Sequence, residues 1–293
     1  MKTIKTIPES ELILHPDGKI YHLNIKPEHL AETVILVGDP QRVEVISNYF
    51  DKIEFKGANR EIHTHTGILN KKRLTVMSTG MGTDNIDIVL NELDALVNID
   101  LKTRTIKEKH TELNIIRLGT SGALQAEIPL NAFILSEYGL GIDGLLNFYA
   151  NNNEFVEKPM TEAFIKATDW PGDLAKPYIV RSSEKLGKMM GNDFIHGITA
   201  TAPGFYGPQG RTLRLPLNFP GLNKKIQEFA FGNQKVVNFE METSALYGLG
   251  KLLGHNTLTV CVAIANRYRH EYNQNYKQAI NRLIELLLEK ITG

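Results

Sequence analysis

With 293 residues, 42% of them hydrophobic and 23% charged, the chain has apolar material for one large α/β domain or two small ones. Its 33 Lys and Arg balance 33 Asp and Glu, which argues against nucleic acid or an anionic membrane as a partner. No run reaches the roughly 18 apolar residues of a membrane span, the N-terminus carries no apolar leader core, and the single Cys261 rules out an intrachain disulfide. The expected setting is the reducing cytoplasm.

Residues 1–20 are polar and read as an N-terminal arm or edge segment. Thr33–Val37 is a short buried strand that runs into Gly38-Asp39-Pro40-Gln41-Arg42, with a helix expected from Arg42 to Tyr49. Phe55–Thr66 carries Arg60, Glu61, His63 and His65; His-x-His is a zinc spacing, but without a nearby third ligand an exposed strand face is the better reading, and no metal is expected. Arg73–Thr79 is another strand. The helical spacing of Ile86, Val89, Leu90, Leu93, Leu96 and Val97 follows, with Thr83 or Asp84 as expected N-cap. Lys102–Lys109 is a charged connector.

Asn114–Leu118 is apolar except for Arg117 and leads into Gly119-Thr120-Ser121-Gly122, whose composition predicts a sharp turn with hydroxyls and free N–H groups. A buried arginine needs either a carboxylate partner or a bound anion, and the stretch alone leaves both open. Ala132–Ser136 is a further strand. The region 139–178, including Asn151-Asn152-Asn153, reads as an irregular insertion with a short helix near Thr161–Ala167. A helix over Ser182–Met190 and a strand over Phe194–Ala200 precede the loop Pro203–Arg211. There Phe205, Tyr206, Gln209 and Arg211 could line a planar-ligand pocket or simply brace the loop. Val236–Phe239 is a strand ending in Glu240-Met241-Glu242, then a helix over Thr243–Leu253, the buried strand Leu258–Ala265 ending in Asn266-Arg267, and an amphipathic helix over 275–291.

Strands alternating with helices give an α/β fold whose sheet is mixed but mainly parallel. Arg42, Arg117, Glu240, Glu242 and Arg267 all follow or end strands, where such sheets bind ligands. Three cations and two carboxylates at one rim suit phosphate beside a polyhydroxylated ring.

Gly-Asp-Pro-Gln-Arg at 38–42, Ser-Thr-Gly-Met-Gly at 78–82, Arg-Leu-Gly-Thr-Ser-Gly at 117–122, Glu-Met-Glu at 240–242 and Asn-Arg at 266–267 resemble, in this order, the nucleoside phosphorylase family and its uridine phosphorylase branch. The resemblance spans about residues 20–290. It implies one domain over 1–293, a three-layer α/β sandwich of the phosphorylase/hydrolase type, and reversible cleavage of a nucleoside by phosphate to free base and ribose 1-phosphate. By the same resemblance Gly38, Arg42, Arg117 and Thr120 bind phosphate, and Arg60 reaches the phosphate of an adjacent subunit. His22 crosses that interface to the ribose 5′-hydroxyl, while Met241 and Glu242 contact the ribose. Phe205, Gln209, Arg211 and Arg267 form the uracil pocket, and Arg117, Glu242 and Arg267 are the groups expected to carry catalysis.

Phosphate is then a co-substrate, no redox cofactor is required, and the oligomer expected is a homodimer or a hexamer built as a trimer of dimers. Thr83-Asp84-Asn85 departs from the family's more usual Gly-Pro-Ser, which bears on any monovalent cation bound near that turn. Purine-selective relatives carry an aspartate after the last buried strand, where this chain has Asn266-Arg267. A purine nucleoside phosphorylase or nucleosidase, and a non-catalytic nucleoside-binding protein, are the alternatives.

Overall fold

The computed structural model describes residues 6–150 and 154–293, in which strands and helices alternate much as the apolar periodicity predicts. In chain order they are β1 (Thr33–Val37), α1 (Pro40–Ser47), β2 (Lys52–Asn59), β3 (Ile62–Leu69), β4 (Lys72–Ser78), α2 (Thr83–Asn98), β5 (Ile99–Asp100), β6 (Thr105–Ile106), β7 (Asn114–Ala123) and β8 (Phe133–Gly141). Then come α3 (Lys158–Thr168), β9 (Tyr178–Arg181), α4 (Glu184–Met190), β10 (Ile195–Thr201), α5 (Leu222–Glu228), β11 (Ala230–Phe231), β12 (Gln234–Glu240), α6 (Thr243–Leu253), β13 (Asn256–Asn266), β14 (Glu271–Tyr272) and α7 (Lys277–Thr292).

Among the described residues twelve strands form one mixed sheet whose middle, β4-β1-β7-β13, is parallel throughout. A second parallel run, β8-β10-β12, meets β13 through an antiparallel β13–β8 pairing. β12 then returns to β7, Asn238 opposite Ala123 and Phe239 opposite Gly122. The strands β7, β13, β8, β10 and β12 therefore close into a ring, and β1, β4, β3 and β2 extend from β7 as an open wing. Buried polar side chains link four ring strands: the Thr199 hydroxyl lies 2.5 Å from Ser136 Oγ and 2.7 Å from Asn238 Oδ1, and Asn238 Nδ2 donates to Ser121 Oγ at 2.9 Å.

Successive residues of a strand point to opposite faces. Leu36 of β1 thus packs under α2 and α6 with Ile86, Leu90, Leu93, Leu246 and Leu249. Its neighbour Ile35 packs on the other side with Val43 of α1, Leu186 of α4, and Leu283 and Leu287 of α7. This is the expected three-layer sandwich. Each fully buried Leu or Ile contributes on the order of 1.5–3 kcal/mol.

Three local expectations change. Gly119–Gly122 is not a turn: β7 runs through it, with Gly119 opposite Cys261 and Gly122 opposite Ala265. The region 139–178 is partly regular, since β8 reaches Gly141 and α3 covers Lys158–Thr168; its Asn151–Asn153 tract lies outside the described residues. The segment before residue 20 is no free arm over its described part, because Leu12 and Ile20 are buried in the core and Leu14 bridges Ile20; residues 1–5 lie outside the described residues. Among the described residues no helix is long and apolar enough to cross a membrane.

Candidate active site

The choice left open for Arg117 resolves onto carboxylates. Its guanidinium is buried, with Nη2 donating to Glu242 Oε2 and Nη1 at 3.3 Å from Glu240 Oε2. Burial opposes its charge, but Glu242 and Glu240 more than compensate and raise its pKa above the usual arginine value. Nε is buried without a hydrogen-bond partner. Gly119 explains how the side chain fits: a Cβ there would sit 2.3 Å from Arg117 Nη1. The glycine that read as a turn former seats the guanidinium two residues back on the same strand face.

The two carboxylates are fixed from several sides. Glu240 accepts Thr201 Oγ1–H at 2.7 Å and the N–H groups of Glu242 and Thr243 at 3.0 Å. Burial pushes its carboxyl up to about 7, Arg117 pulls the other way, and the like charge of Glu242 adds to the push. Glu242, the N-cap residue of α6, accepts the Gly82 N–H at 2.9 Å on Oε1. Gly82 has φ +99°, a conformation open to glycine, and is itself the N-cap of α2. The expected Thr83 and Asp84 caps are not used: the helix starts with Thr83, and its free N-terminal donor at Gly82 is taken by a carboxylate from across the site.

Arg42 contrasts with Arg117. It lies in the first turn of α1, behind the Asp39 N-cap that accepts Gln41 N–H at 2.9 Å, and its Nη1 reaches only the Leu118 carbonyl at 3.5 Å. No carboxylate pairs with it among the described residues, and burial lowers its pKa. The turn after β1 meets the turn after β4, a Cβ on Gly38 falling 3.3 Å from the Gly80 carbonyl oxygen. Thr120, half-buried on β7, lies three residues beyond Arg117. A partly buried cation without a counter-charge beside a helix N-terminus is suited to an anion.

The Gly/Pro-rich loop forms the other end of the site. Arg211 Nη1 donates to Gln209 Oε1 and to the Phe205 carbonyl, both at 2.6 Å, and its guanidinium stacks 3.7 Å over the Phe205 ring. Arg267 donates through Nη2 to the Gln209 carbonyl, while its buried Nη1 has no hydrogen-bond partner among the described residues. Burial, then the neighbouring Arg211, pulls the Arg267 pKa down to about 10. Gly122 brings this end onto β7, a Cβ there falling 3.1 Å from Arg267 Cδ and 3.9 Å from Arg211 Nη2. The loop is thus braced by Gln209 and Arg211 and is also a concentration of positive charge. Met241 lies between the two carboxylates in sequence, its N–H 3.3 Å from Glu242 Oε2.

Arg60 and His22 stand apart from this constellation. Arg60 is exposed at the β2–β3 turn with φ +53°, and neighbouring Glu61 accepts weakly from Asn85 Nδ2 at 3.4 Å. His22 packs above α2, its carbonyl held by Asn59 Nδ2 at 2.8 Å. His63 and His65 form no metal cluster; His65 Nδ1 lies 2.7 Å from Ser47 Oγ. Asp94, His110 and His255 do bring ligand-type atoms within 4.8 Å of one another, before the start of β13 and away from Arg267. There His255 Nδ1 already accepts the Leu113 N–H at 3.2 Å, which leaves a hydrogen on Nε2, 3.3 Å from Asp94 Oδ1. Cys261 is a core residue, and burial pushes its thiol up to about 12.

Residues 32–292 match the model of the phosphorylase superfamily. The chain belongs to the phosphorylase superfamily. It is 31% identical to uridine phosphorylase of Thermococcus kodakarensis over 264 residues, 88% of this chain and 81% of that one. It is 27% identical over 240 residues to a DeoD-type purine nucleoside phosphorylase of Clostridium novyi, 82% of this chain and 84% of that one. In structure it is similar to a Trypanosoma brucei nucleoside phosphorylase with uridine phosphorylase activity, with a TM-score of 0.81, 30% identity, and 95% and 98% of the two chains covered. The protein is therefore a pentosyltransferase of this superfamily, acting on nucleoside and phosphate. Within the superfamily's strand-end motifs, Glu240, Thr201 and Gly82 are the functional neighbours that motif reading left without a role. Glu240 was marked by its place in Glu-Met-Glu, whereas the Gly82 donor has no signal apart from the fold.

Proposed function

We propose that this phosphorylase cleaves uridine to uracil and ribose 1-phosphate in the cytoplasm, with inorganic phosphate as co-substrate and no redox cofactor. The observation that carries the pyrimidine reading is the loop end of the site. Two guanidiniums and a buried amide converge there, and no carboxylate pairs with either arginine among the described residues. Glu271, the first carboxylate after Arg267, is committed to Arg269 at 2.8 Å. Uracil leaves as an anion whose charge rests on carbonyl oxygens, which Arg267 Nη1 and Arg211 can receive as donors. A departing purine gains instead from a proton or donor at N7, for which a carboxylic acid is the suited group.

Phosphate binds between Gly38, Arg42, Arg117 and Thr120, with Arg60 of a neighbouring subunit closing the site. One phosphate oxygen attacks C1′ as the C1′–N1 bond breaks, and the bonding pair leaves with uracil. Positive charge on the ribose ring is stabilised by the phosphate and by Glu242 on the 2′- and 3′-hydroxyls, beside Met241. Phe205 stacks on the base. Arg117 holds Glu242 in place and keeps an Nε–H without a partner among the described residues. The two sites of a homodimer, alone or within a trimer of dimers, then share His22 and Arg60 across the interface.

Comparison of uridine, inosine and cytidine at saturating phosphate tests the base assignment. Uridine should give the highest kcat/KM, and cytidine should fall by as much as ~10⁴ because its 4-amino group and bare N3 mispair with the donors. Preference for inosine would overturn the pyrimidine reading and favour the purine alternative, whose name some relatives carry.

A further inference from the structure

Glu92 of α2 is a partly buried carboxylate, 14% exposed at the side chain, and among the described residues it forms no bridge with lysine or arginine. Its hydrogen-bond partners among them come from one short stretch. Oε1 accepts the His22 N–H at 3.1 Å and lies 2.6 Å from His22 Nδ1; Oε2 accepts the N–H groups of His22 at 3.0 Å and Leu23 at 2.9 Å. The same stretch is held from the opposite side by Asn59, and the Tyr21 ring stands edge-on to the His22 ring at 4.8 Å. The imidazole is thus clamped in position and in rotation.

From this geometry we infer that Glu92 is a positioning residue that fixes His22 with its hydrogen on Nδ1 and a bare lone pair on Nε2. Both carboxylate oxygens already receive backbone donors, so the group acts as an acceptor, and the 2.6 Å contact requires Nδ1 to be the donor. Nε2 has no hydrogen-bond partner among the described residues, and the side chain keeps 29% exposure. A bare imidazole nitrogen of this kind takes a hydroxyl that donates. Under the function proposed above, on which this step rests, that hydroxyl is the ribose 5′-OH, so Glu92 makes the site selective for nucleosides that carry it.

Glu92→Gln is the informative variant because it keeps the size and leaves one acceptor oxygen. Two backbone N–H groups compete for that oxygen, so the new NH2 turns toward Nδ1 and the histidine must put its hydrogen on Nε2 instead. Imidazole ¹⁵N spectra of the full chain at pH about 8, above the ordinary histidine range, should show Nδ1–H in the native protein and Nε2–H in Glu92→Gln, with His22→Gln identifying the signal. In parallel, Glu92→Ala, which removes the acceptor at Nδ1 and frees the ring to rotate, should lower the preference for uridine over 5′-deoxyuridine, as a kcat/KM ratio, up to about tenfold, the worth of one hydrogen bond. The 5′-deoxyuridine rate itself should hold, which a merely structural defect would not allow. An Nε2–H signal in the native protein, or an unchanged ratio in Glu92→Ala, would overturn the inference. If the native enzyme cleaves neither nucleoside but shows Nδ1–H, the tautomer stands and the uridine reading falls.

Discussion

Arg117, within β7, and Arg42, in the first turn of α1, have different partners and so different energetics. Arg117→Ala would leave Glu240 and Glu242 facing each other without a buried counter-charge, a loss of about 3–5 kcal/mol in stability. Lost activity in that variant would therefore mix misfolding with chemistry. Arg42 has no carboxylate to abandon. Arg42→Ala should keep the native melting behaviour and raise the KM for phosphate at least tenfold, the equivalent of one charge-assisted contact of about 1.5–3 kcal/mol. Initial rates against phosphate, with calorimetry alongside, check both halves; an unchanged phosphate KM would remove Arg42 from the phosphate site.

Glu240 makes the stability of the fold depend on pH. Its pKa is raised in the folded protein, so the fold binds that proton more tightly than the unfolded chain does. Its stabilising contribution is full below the unfolded value near 4.5 and is lost as pH rises through about 7. Glu240→Gln should flatten the slope of unfolding free energy against pH between those limits. Denaturant titrations at intervals across that range measure it, and an identical slope in both proteins contradicts the assignment.

At the scale of elements, β7 is the member on which both ends of the site are built, and its glycines are spaced for side chains rather than for a bend. Gly119 lies under the Arg117 guanidinium and Gly122 under Arg267. In sequence, Gly-Thr-Ser-Gly carries the composition of a turn, and nothing local shows that β13 and β12 pair across it. Arg267, the Glu-Met-Glu carboxylates and the order of strands and helices were legible because strand ends and apolar periodicity are local properties. The return of β12 to β7 was not, since it rests on two residue pairs more than a hundred positions apart. Nor was the N-cap of α2, where Gly82 has no side chain to cap with and its own N–H donates to Glu242 from a distant helix. Gly122→Ala tests the division of β7. Its Cβ would press on Arg267 at 3.1 Å, so the KM for uridine should rise several-fold while that for phosphate stays near native. Equal rises in both would show that the two ends are not separately seated.

At the scale of the whole molecule, His22 and Arg60 belong to one corner, joined through Asn59, and neither contacts Arg117, Glu242 or Arg211 within the chain. Under the proposed function, a second copy lends this corner to the first. Mixed oligomers of inactive Arg60→Ala and inactive Glu242→Ala chains should then regain part of the native activity, because some interfaces combine two intact contributions. Complete inactivity in demonstrably mixed oligomers would contradict shared sites.

In the proposed reaction phosphate, not water, receives the ribosyl group. Uridine incubated with the purified protein should release uracil in proportion to added phosphate, with one ribose 1-phosphate formed for each uracil. Uracil released at the same rate without phosphate, with free ribose as co-product, would contradict it.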